Sequence, residues 1–403
     1  MNEKQQLPYI SIIREGKAGS IRDYVMFLAL AFIVVFFTIY SRGRFLTAGN
    51  ISNLMNQSAY VAVLAIGMTI ILILRHIDLS VGFVAGFTGA IAAILMSTHG
   101  WATIPAVLAA LGVGLIIGFY QGFMVAFIGI PAFVITLAGM FIFRGALNLI
   151  LQKTGTIVIP SANADFKELS QGFIPDYIGG PESTYNYTAL IIGIVLILAI
   201  IALRVTLYHR EQTILGRRDS SKLLRMIFGL VIVTIPVLFI TLRLASFNGI
   251  PISLVVAAIV LTIYNFILQR TTLGRHIYGI GGNAEAAELS GVNVRRVTLL
   301  AFASMSLLAA LSGLLYTSRL SSATPTAGTG FEMDAIASSY IGGVAVSGGV
   351  GRVTNTIVGT LVITSLTNGL NLAGVDIAWQ YVIKGVIFTA AVTFDILTRR
   401  RGK

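Results

Sequence analysis

Residues 54–74 read LMNQSAYVAVLAIGMTIILIL, 21 positions without one charged side chain. An α-helix of that length is about 30 Å long, which is the thickness of a bilayer's hydrocarbon core. Because a helix satisfies its own backbone hydrogen bonds, the stretch reads as a membrane span. Eleven further apolar runs lie at about 24–40, 79–96, 104–129, 132–151, 187–203, 226–242, 252–269, 298–316, 331–347, 353–372 and 378–396. The composition agrees. Of 403 residues 56% are apolar and 11% charged, against about a quarter charged in an ordinary soluble domain. A membrane barrel would show alternating strands of about ten residues, and none are visible. The expectation is an all-α polytopic integral membrane protein with about 10–12 transmembrane helices. The run at 331–347 opens with Glu332 and Asp334 and is rich in glycine and serine, so it reads either as a full span or as a re-entrant segment.

The basic residues choose the orientation. With twelve spans and the N-terminus inside, twenty of the 28 fall in cytoplasmic segments. They are Lys4, Arg14, Lys17, Arg22, Arg75, Arg204, Arg210, Arg217, Arg218, Lys222, Arg225, Arg270, Arg275, Arg295, Arg296, Arg352, Arg399, Arg400, Arg401 and Lys403. Six face outside: Arg42, Arg44, Lys153, Lys167, Arg243 and Arg319. This asymmetry places both termini in the cytoplasm and accounts for the net charge of +12 without nucleic acid. Residues 1–23 then form a cytoplasmic segment and 24–403 a single transmembrane domain. The first run is followed by Ser41-Arg42-Gly43-Arg44 rather than a small-residue cleavage site, so it reads as a retained anchor helix. The outside loop 152–186 is long enough to receive a soluble partner.

Little in the chain carries catalytic chemistry. The absence of cysteine excludes disulfides and thiolate sites, and His76, His99, His209 and His276 have no metal-ligand spacing. No Lys-Ser or Lys-Thr follows a Gly-x-x-x-x-Gly spacing, and no Ser/His/Asp arrangement can be placed. The chain reads as a pathway rather than an enzyme, with no cofactor of its own.

The most informative cytoplasmic loop is 270–297, RTTLGRHIYGIGGNAEAAELSGVNVRRV. Asn283 is a good N-cap, Ala284 to Ser290 favours helix with Glu285 in its first turn, and Gly291 supplies a stop. The result is a short capped helix facing the cytoplasm, either a docking knob or an ordinary surface helix.

That loop, with Leu273-Gly274-Arg275-His276-Ile277-Tyr278, Gly281-Gly282-Asn283, Ala286-Ala287 and Leu289-Ser290-Gly291-Val292, resembles the inner-membrane permeases of bacterial monosaccharide ABC importers, of the ribose, xylose, galactose and multiple-sugar type. So do Ile77-Asp78-Leu79-Ser80-Val81-Gly82, Ile130-Pro131-Ala132-Phe133-Val134-Ile135-Thr136-Leu137, Phe143-Arg144-Gly145-Ala146, Arg319-Leu320-Ser321-Ser322-Ala323, Pro325 to Gly330, Glu332, Asp334-Ala335-Ile336-Ala337 and Asn368-Gly369-Leu370-Asn371. The resemblance implies that Asn283, Ala284, Glu285, Ala286, Ala287, Glu288, Leu289 and Ser290 form the coupling helix that docks into a cytosolic ATPase subunit. It implies ATP and Mg in that partner, an extracytoplasmic sugar-binding protein, a pair of permease copies in membrane lipid, and a bacterial inner-membrane location. Shorter ribose-type members pass directly from a sixth span to the Leu-Gly-Arg loop. Here 204–270 inserts a basic loop and two more spans, which favours the longer xylose and multiple-sugar branch.

Polar residues inside spans have two readings each. Asp78 either caps the third helix or serves gating. Asn53, Asn56 and Gln57 share one face of the second span, and Asn368 and Asn371 lie three apart in the eleventh. These amides either bridge helices or line a path for an uncharged, hydroxyl-rich solute. Arg144 can snorkel to the outer interface, and Lys384 can pair with Asp376 or with a carboxylate of 332–334. The glycine runs Gly82 to Gly89 and Gly342 to Gly351 are expected toward the cytoplasmic ends of spans, and hint at symmetry between 51–151 and 298–396. The rival reading is a self-contained carrier driven by an ion gradient, with Asp78, Glu332 or Asp334 as its coupling carboxylate.

Overall fold

The computed structural model describes residues 26–152, 154–180, 183–215 and 220–401. The expected cytoplasmic segment 1–23 lies outside them, as do Arg217 and Arg218 of the basic loop. The chain is all-α. Helix α1 is Met26–Tyr40, followed by α2 (Ala48–Ile73), α3 (Val81–Ser97), α4 (Thr103–Phe123), α5 (Ala132–Leu151) and the short α6 (Ala164–Gln171). Then come α7 (Tyr187–Leu215), α8 (Ser220–Ala245), α9 (Ile252–Arg270), α10 (Thr272–Gly282) and α11 (Ala284–Leu289). The last four are α12 (Val294–Leu320), α13 (Phe331–Ile341), α14 (Val353–Leu372) and α15 (Ile377–Arg401). Among the described residues, α2, α4, α5, α7, α8, α9 and α12 are each long and apolar enough to cross a membrane.

Helices α2 and α12 form the axis of the bundle, and the rest is arranged around them as an inverted pair. Helix α12 packs on α3 and α4, while α2 packs on α13 and α14. Likewise α5 lies against α3, and α15 against α13. The unit α2–α5 thus recurs as α12–α15, running in the opposite sense, which bears out the symmetry hinted at in the sequence. Hydrophobic burial cannot hold such helices together in lipid; close approach and interhelical hydrogen bonds do. A Cβ on Gly313 of α12 would meet the backbone of Ala85, so the two main chains touch there. Ser58 and Thr364 pair at 2.8 Å, Thr69 and Thr356 at 2.7 Å, and the Ser312 hydroxyl donates to the Tyr60 carbonyl at 2.8 Å. Each such bond is worth roughly 0.6 kcal/mol, up to about 1.7.

Both units contain a broken element. Helix α13 has 11 residues, about 16 Å, half a span. Its first residue, Phe331, meets Tyr60 midway along α2, and Ser339 reaches Thr69 near the end of α2. The chain reaches Phe331 from β2 (Ser322–Ala323), which pairs antiparallel with β1 (Ile157–Val158) against α3, at the end of α12 that carries α6. So 322–347 runs from the α6 end of the bundle to the α11 end, first as non-helical chain and then as a half-helix. In the other unit, 74–80 is non-helical before α3 opens at Val81. Gly86 and Gly89 then lie against Ala327 and the Gly313–Thr317 turn of α12. The expectation for the glycine runs is therefore corrected. Only 342–351 lies at the α11 end, while Gly82 to Gly89 serve helix contact in the other half of the bundle.

At the opposite end, α6 is fastened to α12 by Ser170, whose amide donates to the Ser318 hydroxyl at 3.0 Å and whose hydroxyl donates to the Leu315 carbonyl at 2.7 Å. Within the 204–270 stretch, α9 is knitted to α2, α6 and α14, whereas α7 packs chiefly on α8 as a peripheral hairpin.

Candidate coupling face and translocation path

Sequence and structure agree on α11. The Asn283 carbonyl oxygen Oδ1 accepts from the Ala286 amide at 3.0 Å, and the Ser290 hydroxyl donates to the Ala286 carbonyl at 2.8 Å, closing a single turn and a half. Gly291 takes a φ of 86° to leave it. Only Ala287 turns inward; Asn283, Ala284, Glu285, Ala286, Glu288 and Ser290 are exposed, and Leu289 is 85% exposed. An apolar side chain so open at a water-facing end is a contact waiting for a partner. The sequence missed α10, whose four glycines lower helix propensity by about 1 kcal/mol each against alanine. Thr271 caps it by accepting from Gly274 at 3.3 Å, and it meets α11 at an extended corner on Asn283.

Four of the five amides each engage a different neighbour. Arg319 of α12 donates to Asn53 at 2.8 Å, and Ser253 of α9 donates to Asn56. Gln57 is buried. Asn368 exchanges two hydrogen bonds with Asn50, at 2.9 and 3.0 Å, while Asn371 accepts from Gln380 of α15 at 2.8 Å. Of the two cations, Lys384 pairs with Asp334 at 2.9 Å, and Arg144 sits over the Phe83 ring, 5.6 Å from its centroid. A groove of about 520 Å³ along α15 is lined by Tyr381, Val382, Gly385, Val386, Thr389 and Ala390.

Asp78 is fully buried, but it is not the cap of α3. Ser80 is the N-cap, and Asp78 precedes it in an Asx turn, its Oδ1 accepting from the Ser80 amide at 2.9 Å and hydroxyl at 2.7 Å. The expectation erred by two residues because Asp and Ser are equally good caps on sequence alone. Ser80 in turn takes a bond from the Gln121 amide of α4 at 2.9 Å. Gln121 was not legible in the sequence, and Thr136, which donates to the Ile77 carbonyl at 3.2 Å, stood there only as part of a family motif. The other Asp78 oxygen has no partner among the described residues, and neither has Oε2 of Glu332. Glu332 lies where a Cβ on Gly82 would stand, so the N-termini of α3 and α13 meet inside the bundle. Tyr60, Tyr316 and Phe331 pack beside this meeting point with ring centroids 4.9–5.3 Å apart.

This inverted pair of broken helices with an exposed capped turn at one end can be set beside known proteins. Residues 50–392 match the family described as branched-chain amino acid transport system, permease component. The chain belongs to this permease family. It is 36% identical over 385 residues to the xylose transport system permease protein of Haemophilus influenzae, covering 96% of this chain and 99% of the relative. Its identity to the xylose transport system permease protein of Escherichia coli K12 is 37% over 385 residues, covering 96% and 94%. With the ribose import permease protein of the same strain it is 32% over 352 residues, covering 87% of each. No solved structure matches the chain. The resemblance to xylose and ribose permeases is borne out, and the protein is a multi-pass membrane permease.

Proposed function

We propose that this permease forms the translocation pathway of an ATP-binding cassette importer for a monosaccharide, a pentose or hexose, with xylose the first candidate. It works as a pair of copies with cytosolic ATPase subunits, which bind ATP and Mg, and with a soluble sugar-binding protein outside. It catalyses nothing itself. Both termini lie in the cytoplasm of a bacterial inner membrane, with α11 inside and α6 outside. The observation that carries this reading is α11, a capped turn with Leu289 presented to water at the end where Arg75, Arg270, Arg275, Arg295, Arg296 and Arg352 also gather. A groove for an ATPase takes such a small helix as a knob. Helices α5 and α15 lie on the flanks, against α3 and α13 respectively, and leave apolar faces for the second copy or for lipid.

The unpartnered oxygens of Asp78 and Glu332 favour the rival, an ion-driven carrier, since Asp334 is already committed to Lys384. Reconstitution separates the two. In proteoliposomes with an ATPase and a binding protein, xylose uptake that needs ATP and ignores proton and sodium gradients supports the importer. Uptake by the permease alone on an ion gradient overturns it.

A further inference from the structure

Three backbones cross at the α11 end with almost no side chain between them. Helix α2 stops at Ile73, α10 stops at Gly282, and the loop leaving α13 passes through Gly348 and Gly349. The Gly349 amide donates to the Ile73 carbonyl at 2.9 Å. A Cβ on Gly281 would collide with that same carbonyl, and Gly348 and Gly349 hold φ of 74° and 71°, so the crossing requires glycine.

Arg75 closes this crossing. Its backbone takes a φ of 63°, unusual for a residue with a side chain. Its guanidinium donates from Nε to the Gly281 carbonyl at 2.7 Å and from Nη2 to the Gly282 carbonyl at 2.6 Å. These are among the last carbonyls of α10, which the helix cannot satisfy itself and whose dipole favours a cation. The Tyr278 hydroxyl, one turn earlier on α10, donates to the Gly351 carbonyl at 2.8 Å. The chain leads out of α11 directly into α12, the first helix of the second unit. Arg75 supplies a link to the first unit, at the end of α2 where the non-helical segment toward Asp78 begins.

We infer that Arg75 is the positioning residue that carries a displacement of α10 and α11 into α2 and the 74–80 segment, so that both inverted units move together. This rests on reading α11 as the ATPase-docking helix. Arg75 counts equally among the cytoplasmic positive charges, and a charge-only role is the alternative to exclude. A lysine keeps the charge and loses the planar fork that fixes both bonds.

The test uses the permease–ATPase complex in proteoliposomes with the sugar-binding protein, with xylose or ribose, whichever the wild type imports, and reads sugar delivered per ATP hydrolysed. Thermal unfolding in detergent checks each variant's fold. Arg75→Lys and Arg75→Gln are expected to retain the ATPase and its hydrolysis while sugar per ATP falls about tenfold. Tyr278→Phe is expected to fall less. Wild-type sugar per ATP in a folded Arg75→Lys overturns the inference, as does a loss of transport matched by an equal loss of bound ATPase. Should Arg75→Gln not fold, Arg75→Lys decides. A wild type that captures no ATPase overturns the docking reading and this inference with it.

Discussion

Helices α2 and α7 are ranked in opposite order by hydropathy and by burial. The most apolar window of α2 has a mean hydropathy of 1.7 and is 94% buried within the protein, whereas that of α7 reaches 2.9 and is 6% buried. In water the more apolar helix would be the inner one. In lipid the solvent is itself apolar, so greasy side chains gain nothing by turning inward. The inner helix instead needs small residues that leave room for a neighbour's side chain, as Gly67 does for Met305 of α12, and hydroxyls that bond across, as Ser58 and Thr69 do.

The contrast is broken most directly by bulk. Gly313→Val places a side chain against the Ala85 backbone and is expected to cost about 3 kcal/mol in unfolding by SDS titration from mild detergent. Val195→Ala on the exposed face of α7 should change stability by no more than about 0.5 kcal/mol. Equal costs at the two sites would refute the division into inner and lipid-facing helices.

Two smaller effects sharpen it. Thr69→Val removes a hydroxyl shared with Thr356 and Ser339 and should cost about 1 kcal/mol in the same titration. A double-mutant cycle of Asn50→Ala and Asn368→Ala should give a coupling of about 0.6 kcal/mol if the amide pair bridges α2 to α14, and none if the two act independently.

The smallest effect lies outside the membrane, in the loop before α7. The amides of Gly179, Tyr187, Ile178 and Thr188 all donate to the Asp176 carboxylate and hold it well below the usual carboxylate range. A carboxyl depressed in the folded state stabilises fully above its unfolded value of 3.8, and that contribution is lost as pH falls toward the folded value. Proteolysis of 173–187 by an acid-tolerant protease should therefore rise as pH drops below about 4. In Asp176→Asn the pH-dependent part of that rise should disappear.

Much of the fold was legible because spans announce themselves locally. The run expected at 132–151 is α5, 353–372 is α14, and Asn283 with Gly291 bounds α11 as read. The half-helix α13 was less legible: Glu332 and Asp334 signalled an unusual element, but its depth is set by Tyr60, some 270 residues away. The amides stayed ambiguous for the same reason. Asn368 in an apolar run looks alike whether it faces a cavity or Asn50, and only the inverted packing of α2 on α14 brings Asn50 to it. The Arg75 contact spans 206 positions and ends on glycine carbonyls, which carry no side-chain signal at all.

The central claim is that α11 is a docking element and the permease one subunit of an ATP-driven importer. It is tested most directly by co-purifying the chain with candidate sugar-transport ATPases, comparing wild type with the double variant Glu285→Arg and Leu289→Arg. Both side chains are exposed, so the variant should fold and unfold as the wild type does. The wild type is expected to capture an ATPase, and the folded variant to lose it. An equally tight complex in the variant, or no ATPase bound by the wild type from its own cells, would show that α11 is not the docking element.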